Sequence, residues 1–332
     1  MRAGGSALHT ASPRWGRDAA KAAGVGNEAH AARPTKPPLG AGNVPSRCVI
    51  EALREHPRFR EATRALIGGL VERYSRNRLL NRVVNDRGRL VGSLIALYLY
   101  FSSAPGDGGN GLTAGRFQAF CVDLKLCSSG RARALLLLMR YAGYLAPEPC
   151  ASDRRRRCLA PTERLIEEQR QRWSLQFEAM ALITPTGRAA LEALKRPEFT
   201  AAFMRHLGAT FLAGFRLLDH APDLARLVES NAGLLVAASL FRAALDRPLG
   251  PDGTAVPVSI SSLAARFGVT RAHVRNLLAE AAEAGLVKRS QGSETVLVLP
   301  RLIQAGSDFF AALFALQAHC AQAAVEEIGA AP

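Results

Sequence analysis

The chain has 332 residues, 43 Lys plus Arg against 28 Asp plus Glu, and a formal charge of +15. At about 100–200 residues per domain, that length predicts two domains, each large enough to bury a core without disulfides or metals. Apolar residues make up 48% of the chain and the glycines and prolines show no period, which excludes a disordered or collagen-like chain; aromatics at 6% are too few for base-stacking platforms along a single strand.

Residues 1–47 are rich in Ala, Gly, Pro and Arg, with no periodicity and no apolar h-region, and read as a disordered basic tail rather than a secretory signal. The longest uncharged apolar run, residues 90–106, is 17 residues, short of the roughly 20 that span a bilayer. The expected location is therefore the cytoplasm, at the nucleoid. Residues 1–175 hold 29 basic and 14 acidic side chains, whereas residues 176–332 hold 14 of each. Only five cations are lysines, so the excess is guanidinium, the group suited to bidentate phosphate contacts. A coding bias toward Arg does not explain such unequal halves, and a basic partner-binding surface does.

Residues 48–175 are expected to hold a helical flank and a first module. An apolar helix begins near Leu90, a Gly-rich loop spans 105–111, and a short helix buries Phe120, Leu124 and Leu126. A longer helix starts at Ser128, presents Ser129, Arg131 and Arg133, and turns Ala132, Leu135, Leu136 and Met139 inward. Between Cys150 and Leu159 a hairpin-like turn carries Asp153 and four consecutive arginines, Arg154, Arg155, Arg156 and Arg157. So dense a like-charge run is tolerable only where solvent or phosphate neutralises it. Residues 176–230 read as a helical linker or dimerisation segment. A break at Thr184-Pro185-Thr186 is followed by Phe199, Phe203, Leu207, Phe211, Phe215 and Leu218 at helical spacing. That spacing is ordinary core, with a pocket for a small apolar effector as the less common alternative.

Residues 231–303 repeat the first module at an offset near 142. The step from Gly92 to Gly143 is 51 residues and that from Gly233 to Gly285 is 52. A loop spans 250–257, a helix carries Leu263, Phe267 and Val269, and Gly268 makes a turn one residue shorter than in the first copy. Thr270 then caps a helix whose outer face offers Arg271, His273, Arg275 and Asn276, with Val274, Leu277, Leu278 and Ala281 inward. Ala284-Gly285 stops it, and two strand-like runs form a hairpin. Residues 304–332 form a last helix capped by Ser307, docking on the body or on a second subunit.

These elements predict a mainly α fold: tandem winged helix-turn-helix modules with small β wings, joined by an all-helical segment. Arg and Asn on a recognition helix suit guanine and adenine edges in the major groove, although any surface helix carries Arg and winged helices also bind proteins. The run Asp153-Arg154-Arg155, with Leu159 and Thr162 at D-R-R-x-x-x-L-x-x-T spacing, resembles the wing signature of the MarR-type (multiple antibiotic resistance regulator) repressors. Pro161 and Leu165 stand where that family has Leu and Gly. The resemblance implies that Arg154 or Arg155 enters the minor groove with Asp153 orienting it, that the recognition helix enters the major groove, and that flanking helices form a homodimer.

The expected function is a sequence-specific DNA-binding transcriptional regulator on double-stranded DNA. The alternatives are a tandem winged-helix replication initiator and a winged-helix protein-interaction module. No membrane partner, cofactor or metal is expected. The six cysteines form no CxxC pair, the seven histidines are scattered singly, and no nucleophile or phosphate-loop motif points to an enzyme. Cys150 and Cys158 flank the arginine run, whose charge favours the thiolate, so oxidant sensing is weighed there against inert passengers.

Overall fold

A computed structural model describes residues 44–76, 87–102, 111–149, 157–289 and 294–330, all within a unit running from Lys36 to Pro332. The described residues are mainly helical, with two small antiparallel sheets. Most of the expected tail, the loop at 105–110, Cys150, Asp153, Arg154, Arg155, Arg156 and the turn at 290–293 lie outside them.

Two helices open the described chain, α1 (Arg47–Glu55) and α2 (Phe59–Arg76). Ser46 caps α1, its hydroxyl accepting from the Val49 amide at 3.4 Å, so the last residues assigned to the tail belong to the start of this helix. After α3 (Arg87–Phe101) come α4 (Ala114–Asp123), α5 (Ser129–Tyr141) and a hairpin of β1 (Leu145–Pro149) and β2 (Arg157–Pro161). The middle of the chain is α6 (Glu163–Met180), α7 (Pro185–Ala193), α8 (Pro197–Leu212), α9 (Leu217–His220), a 3-10 turn (Pro222–Leu224) and α10 (Ala225–Glu229). Then follow α11 (Gly233–Leu245), β3 (Thr254–Pro257), α12 (Ile260–Phe267), α13 (Arg271–Glu283), β4 (Val287–Arg289), β5 (Thr295–Val298) and α14 (Pro300–Ala330).

The two copies share one order of elements. Their longer helices begin at Ser129 and Arg271 and their hairpins at Leu145 and Val287, the same 142-residue step in both cases. The second copy has a three-stranded sheet in the order β3-β5-β4. The first has a two-stranded sheet with an isolated bridge in the corresponding place: Thr113 bridges Cys158, and the Leu159 amide donates to the Leu112 carbonyl at 2.8 Å. Residues 250–257, expected as loop throughout, end in strand β3. Four residues ending in Pro are too short to display alternation, and Pro257 is tolerated because β3 is an edge strand.

The inward register of α4 also departs from expectation. Phe117 and Cys121 are the buried residues, at 0% and 1% exposure, while Phe120, Leu124 and Leu126 are only partly buried. Several apolar residues close together let more than one helical face pass for the inner one. The turn before α5 is five residues, 124–128, against three before α13, a larger difference than expected. Lys125, at φ 54°, takes the left-handed conformation that Gly268 takes at φ 68°.

The body between the copies is built on aromatic packing. Phe177 lies edge-on to Phe199 and Phe203, Trp173 is edge-on to Phe203, and Phe199 stacks on Phe203 at 5.6 Å. Helix α14 packs most extensively on α8 and also on α1 and α7. It begins at Pro300 rather than near Ser307, because Pro is suited to the first helical turn; the Ser307 hydroxyl instead bonds back to the Ile303 carbonyl at 2.8 Å. Its length and composition would let it cross a membrane, and 56% of its most apolar window is buried inside this core. Helices α3 and α8 approach closely at Gly208, where an added Cβ would lie 2.0 Å from the Tyr98 ring.

Candidate nucleic-acid interface

Each longer helix is set by a hydroxyl cap and an apolar stripe. Ser128 accepts from the Arg131 amide at 3.4 Å, and Thr270 from the His273 amide at 3.1 Å. The inner face of α5 is Ala132, Leu135, Leu136 and Met139, and that of α13 is Val274, Leu277, Leu278 and Ala281. Between α5 and β2, the Thr162 hydroxyl donates to the Gly143 carbonyl at 2.7 Å, and the Arg164 guanidinium donates to the Ala142 carbonyl at 3.0 Å while lying over the Tyr144 ring. These contacts fix the hairpin against the C-terminal end of α5.

The outward residues divide into those that are available and those already engaged. On α5, Ser129 and Arg133 are exposed, but the Ser129 hydroxyl donates to the Gln118 side chain at 3.0 Å. Arg131 is half-buried, and its charge is felt at the Cys127 thiol, so it does not stand on the outer face with Arg133. Burial dominates at Cys127 and pushes its thiol up. Sequence reasoning missed Arg140, which is exposed seven residues after Arg133 on the same face, a spacing legible in the sequence. The same face carries Leu137 at 53% exposure and Tyr141 at 93%.

On α13, Arg271, Arg275 and Asn276 are exposed. His273 is not presented outward: its Nε2 lies 2.7 Å from the Asn231 carbonyl, anchoring α13 to the segment before α11. Glu280 and Glu283 extend that anchored side, meeting Ser230 at 3.3 Å and Arg226 at 3.2 Å. The placement is physically simple, because α10 packs beside α13 and a polar residue facing a neighbouring helix finds a partner there. Arg157 is exposed at the start of β2, opposite Pro149. Cys158 is buried and disulfide-bonded rather than a free thiol.

The pairing of charges differs sharply across the molecule. In the body, arginines meet carboxylates: Arg54 with Asp308, Arg64 with Asp246, Arg73 with Glu168, Arg205 with Glu327 and Arg301 with Asp223. On the two copies, Arg133, Arg140, Arg157, Arg266, Arg271, Arg275, Lys288 and Arg289 are exposed and make no ion pair among the described residues. Arg266, Lys288 and Arg289 carry no sequence signal that singles them out as binding residues. Their half of the chain is neutral overall.

Such a set of unpaired guanidinium groups can take up phosphate oxygens without first breaking an ion pair. Among the described residues no group of three or more His, Cys, Asp or Glu is placed to hold a metal. No family model matches the chain, and neither curated proteins nor solved structures provide a match.

Proposed function

We propose that the chain is a double-stranded DNA-binding transcriptional regulator, acting at the nucleoid, with two winged helix-turn-helix modules in one polypeptide. In this reading α5 and α13 are the recognition helices, and the β1-β2 and β4-β5 hairpins are the wings. The observation that carries it is the concentration on these elements of exposed cations that make no ion pair among the described residues, while the arginines of the body are largely paired. Arg133 and Arg140 serve the first module, with Arg157 and its neighbours Arg154, Arg155 and Arg156 on the wing. Arg271, Arg275 and Asn276 read bases or phosphates for the second, and Lys288 and Arg289 extend that contact along its wing.

The test is fluorescence anisotropy on a duplex over a salt series, with Arg271→Ala/Arg275→Ala and Arg133→Ala/Arg140→Ala variants. Each lost phosphate contact should reduce the slope of log affinity against log salt by about 0.9. Unaltered affinity and slope in both variants would remove these helices from the interface. The exposed Leu137 and Tyr141 favour a second reading for the first module alone, a protein-binding face on α5. A loss confined to the Arg271→Ala/Arg275→Ala variant would select it.

A further inference from the structure

A cavity of about 440 Å³ lies where α3, α4, α8, α9, α10, α11 and α14 converge. From α3 it takes Val91, Leu94 and Tyr98, and from α8 Leu207 and Phe211. Leu234 of α11 and Leu316 of α14 also line it. Folded interiors leave few voids larger than a water molecule, and apolar walls facing such a void lose the contacts they would otherwise make. Here Val91, Leu94, Tyr98, Leu234 and Leu316 pack against the core cluster yet remain only partly buried, as does Phe211. All six line the same space.

The polar inventory of the wall is small. Arg216 and Asp219 are its charged members. The Arg216 guanidinium is already committed, donating to the carbonyls of Phe211 and Phe215 and stacking on the Phe211 ring at 3.5 Å. Asp219 is exposed to solvent, so no charged group is held inside for an ionic ligand. The volume falls within the 300–1,000 Å³ range of small-molecule pockets. It is also roughly three times the ~150 Å³ that accommodates one benzene ring.

We propose that this cavity is a binding site for an uncharged apolar small molecule of two to three rings, or a chain of similar bulk. Its walls include α3 and α11, the corresponding first helices of the two copies, so the occupant touches both copies at once. The site rests on the cavity alone and stands or falls independently of the duplex-binding reading.

The neutral probe N-phenyl-1-naphthylamine tests it on the full chain. Its fluorescence should rise to saturation at one molecule per chain, and the melting temperature should increase with probe concentration, because the ligand favours the folded state by mass action. Leu94→Trp and Leu234→Trp fill the cavity from two different helices, and each should weaken probe affinity about tenfold or more while far-ultraviolet circular dichroism is retained. Leu94→Phe and Leu316→Phe, smaller insertions, replace any variant that fails to fold. Fluorescence that rises without saturation, or saturable binding of equal affinity in the wild type and the folded filled variants, would overturn the proposal.

Discussion

His273 and Arg275 stand two residues apart on α13 and have different work to do. The His273 ring is tied to the Asn231 carbonyl at 2.7 Å, while Arg275 is exposed and makes no ion pair among the described residues. His273→Ala should therefore lower stability by about 1 kcal/mol in urea unfolding, through the lost hydrogen bond, and leave the salt slope of duplex binding unchanged. A reduced slope would move His273 into the interface. The cysteines separate on similar grounds. Burial pushes the Cys121 and Cys320 thiols up to about 12, whereas Cys48 is exposed. Labelling the native protein with an aromatic disulfide reagent at pH 8 should modify Cys48 quickly and reach Cys121 and Cys320 only on unfolding. Rapid native labelling of Cys320 would contradict its packed position beside Thr210.

At the scale of elements, the turn before α13 shows how local chemistry sets an orientation. Gly268 supplies the left-handed residue that ends α12, and Thr270 caps the next helix three residues before His273. Removing the cap as Thr270→Ala should cost about 1 kcal/mol, read as a lower urea midpoint with unchanged slope. The start of α14 is held differently, by Arg301 donating to both oxygens of Asp223 at 2.7 and 2.5 Å. The hydrogen bond from Arg301 holds the Asp223 carboxyl below its usual range. A depressed folded-state value means that the group binds its proton more readily when unfolded. Its contribution is thus present above about pH 4 and is lost as pH falls through the lower folded value. Asp223→Asn should flatten the acid limb of a stability-pH curve below about pH 4 and leave its shape near neutrality unchanged; an unaltered acid limb would show that the pair does not act on stability.

For the whole molecule, one buried apolar cluster runs from Ile50 on α1 to Ala324 on α14 and includes residues of both copies. Phe203, fully buried among Trp173, Phe177 and Phe199, lies in the body between them. Phe203→Ala should cost about 3–5 kcal/mol and lower the melting of both copies together in a single calorimetric transition. Two separated transitions would show that the copies are independently stable. Shared packing has a further consequence: β-hairpins this small are marginal alone, and each is held here by the helices beneath it.

Periodicity, caps and breakers in the sequence determined the mainly helical character, the repeated order of elements, the inner faces of α5 and α13, and the stop at Gly285. These depend on neighbours three or four residues apart, and such information is local. The strand β3, the inner register of α4, the start of α14 and the engagement of Arg131 and His273 were decided only in the tertiary structure. Each depends on what another segment brings alongside: β5 for β3, and the residues before α11 for His273. The charge illustrates the division most clearly. The sequence placed the whole excess of +15 in the first half, because counting is all that linear order permits. Folding pairs much of the body's arginine with carboxylates and leaves Arg266, Arg271, Arg275, Lys288 and Arg289 in the neutral half without an ion pair among the described residues, since the availability of a charge depends on the distance to its nearest opposite and not on the net sum.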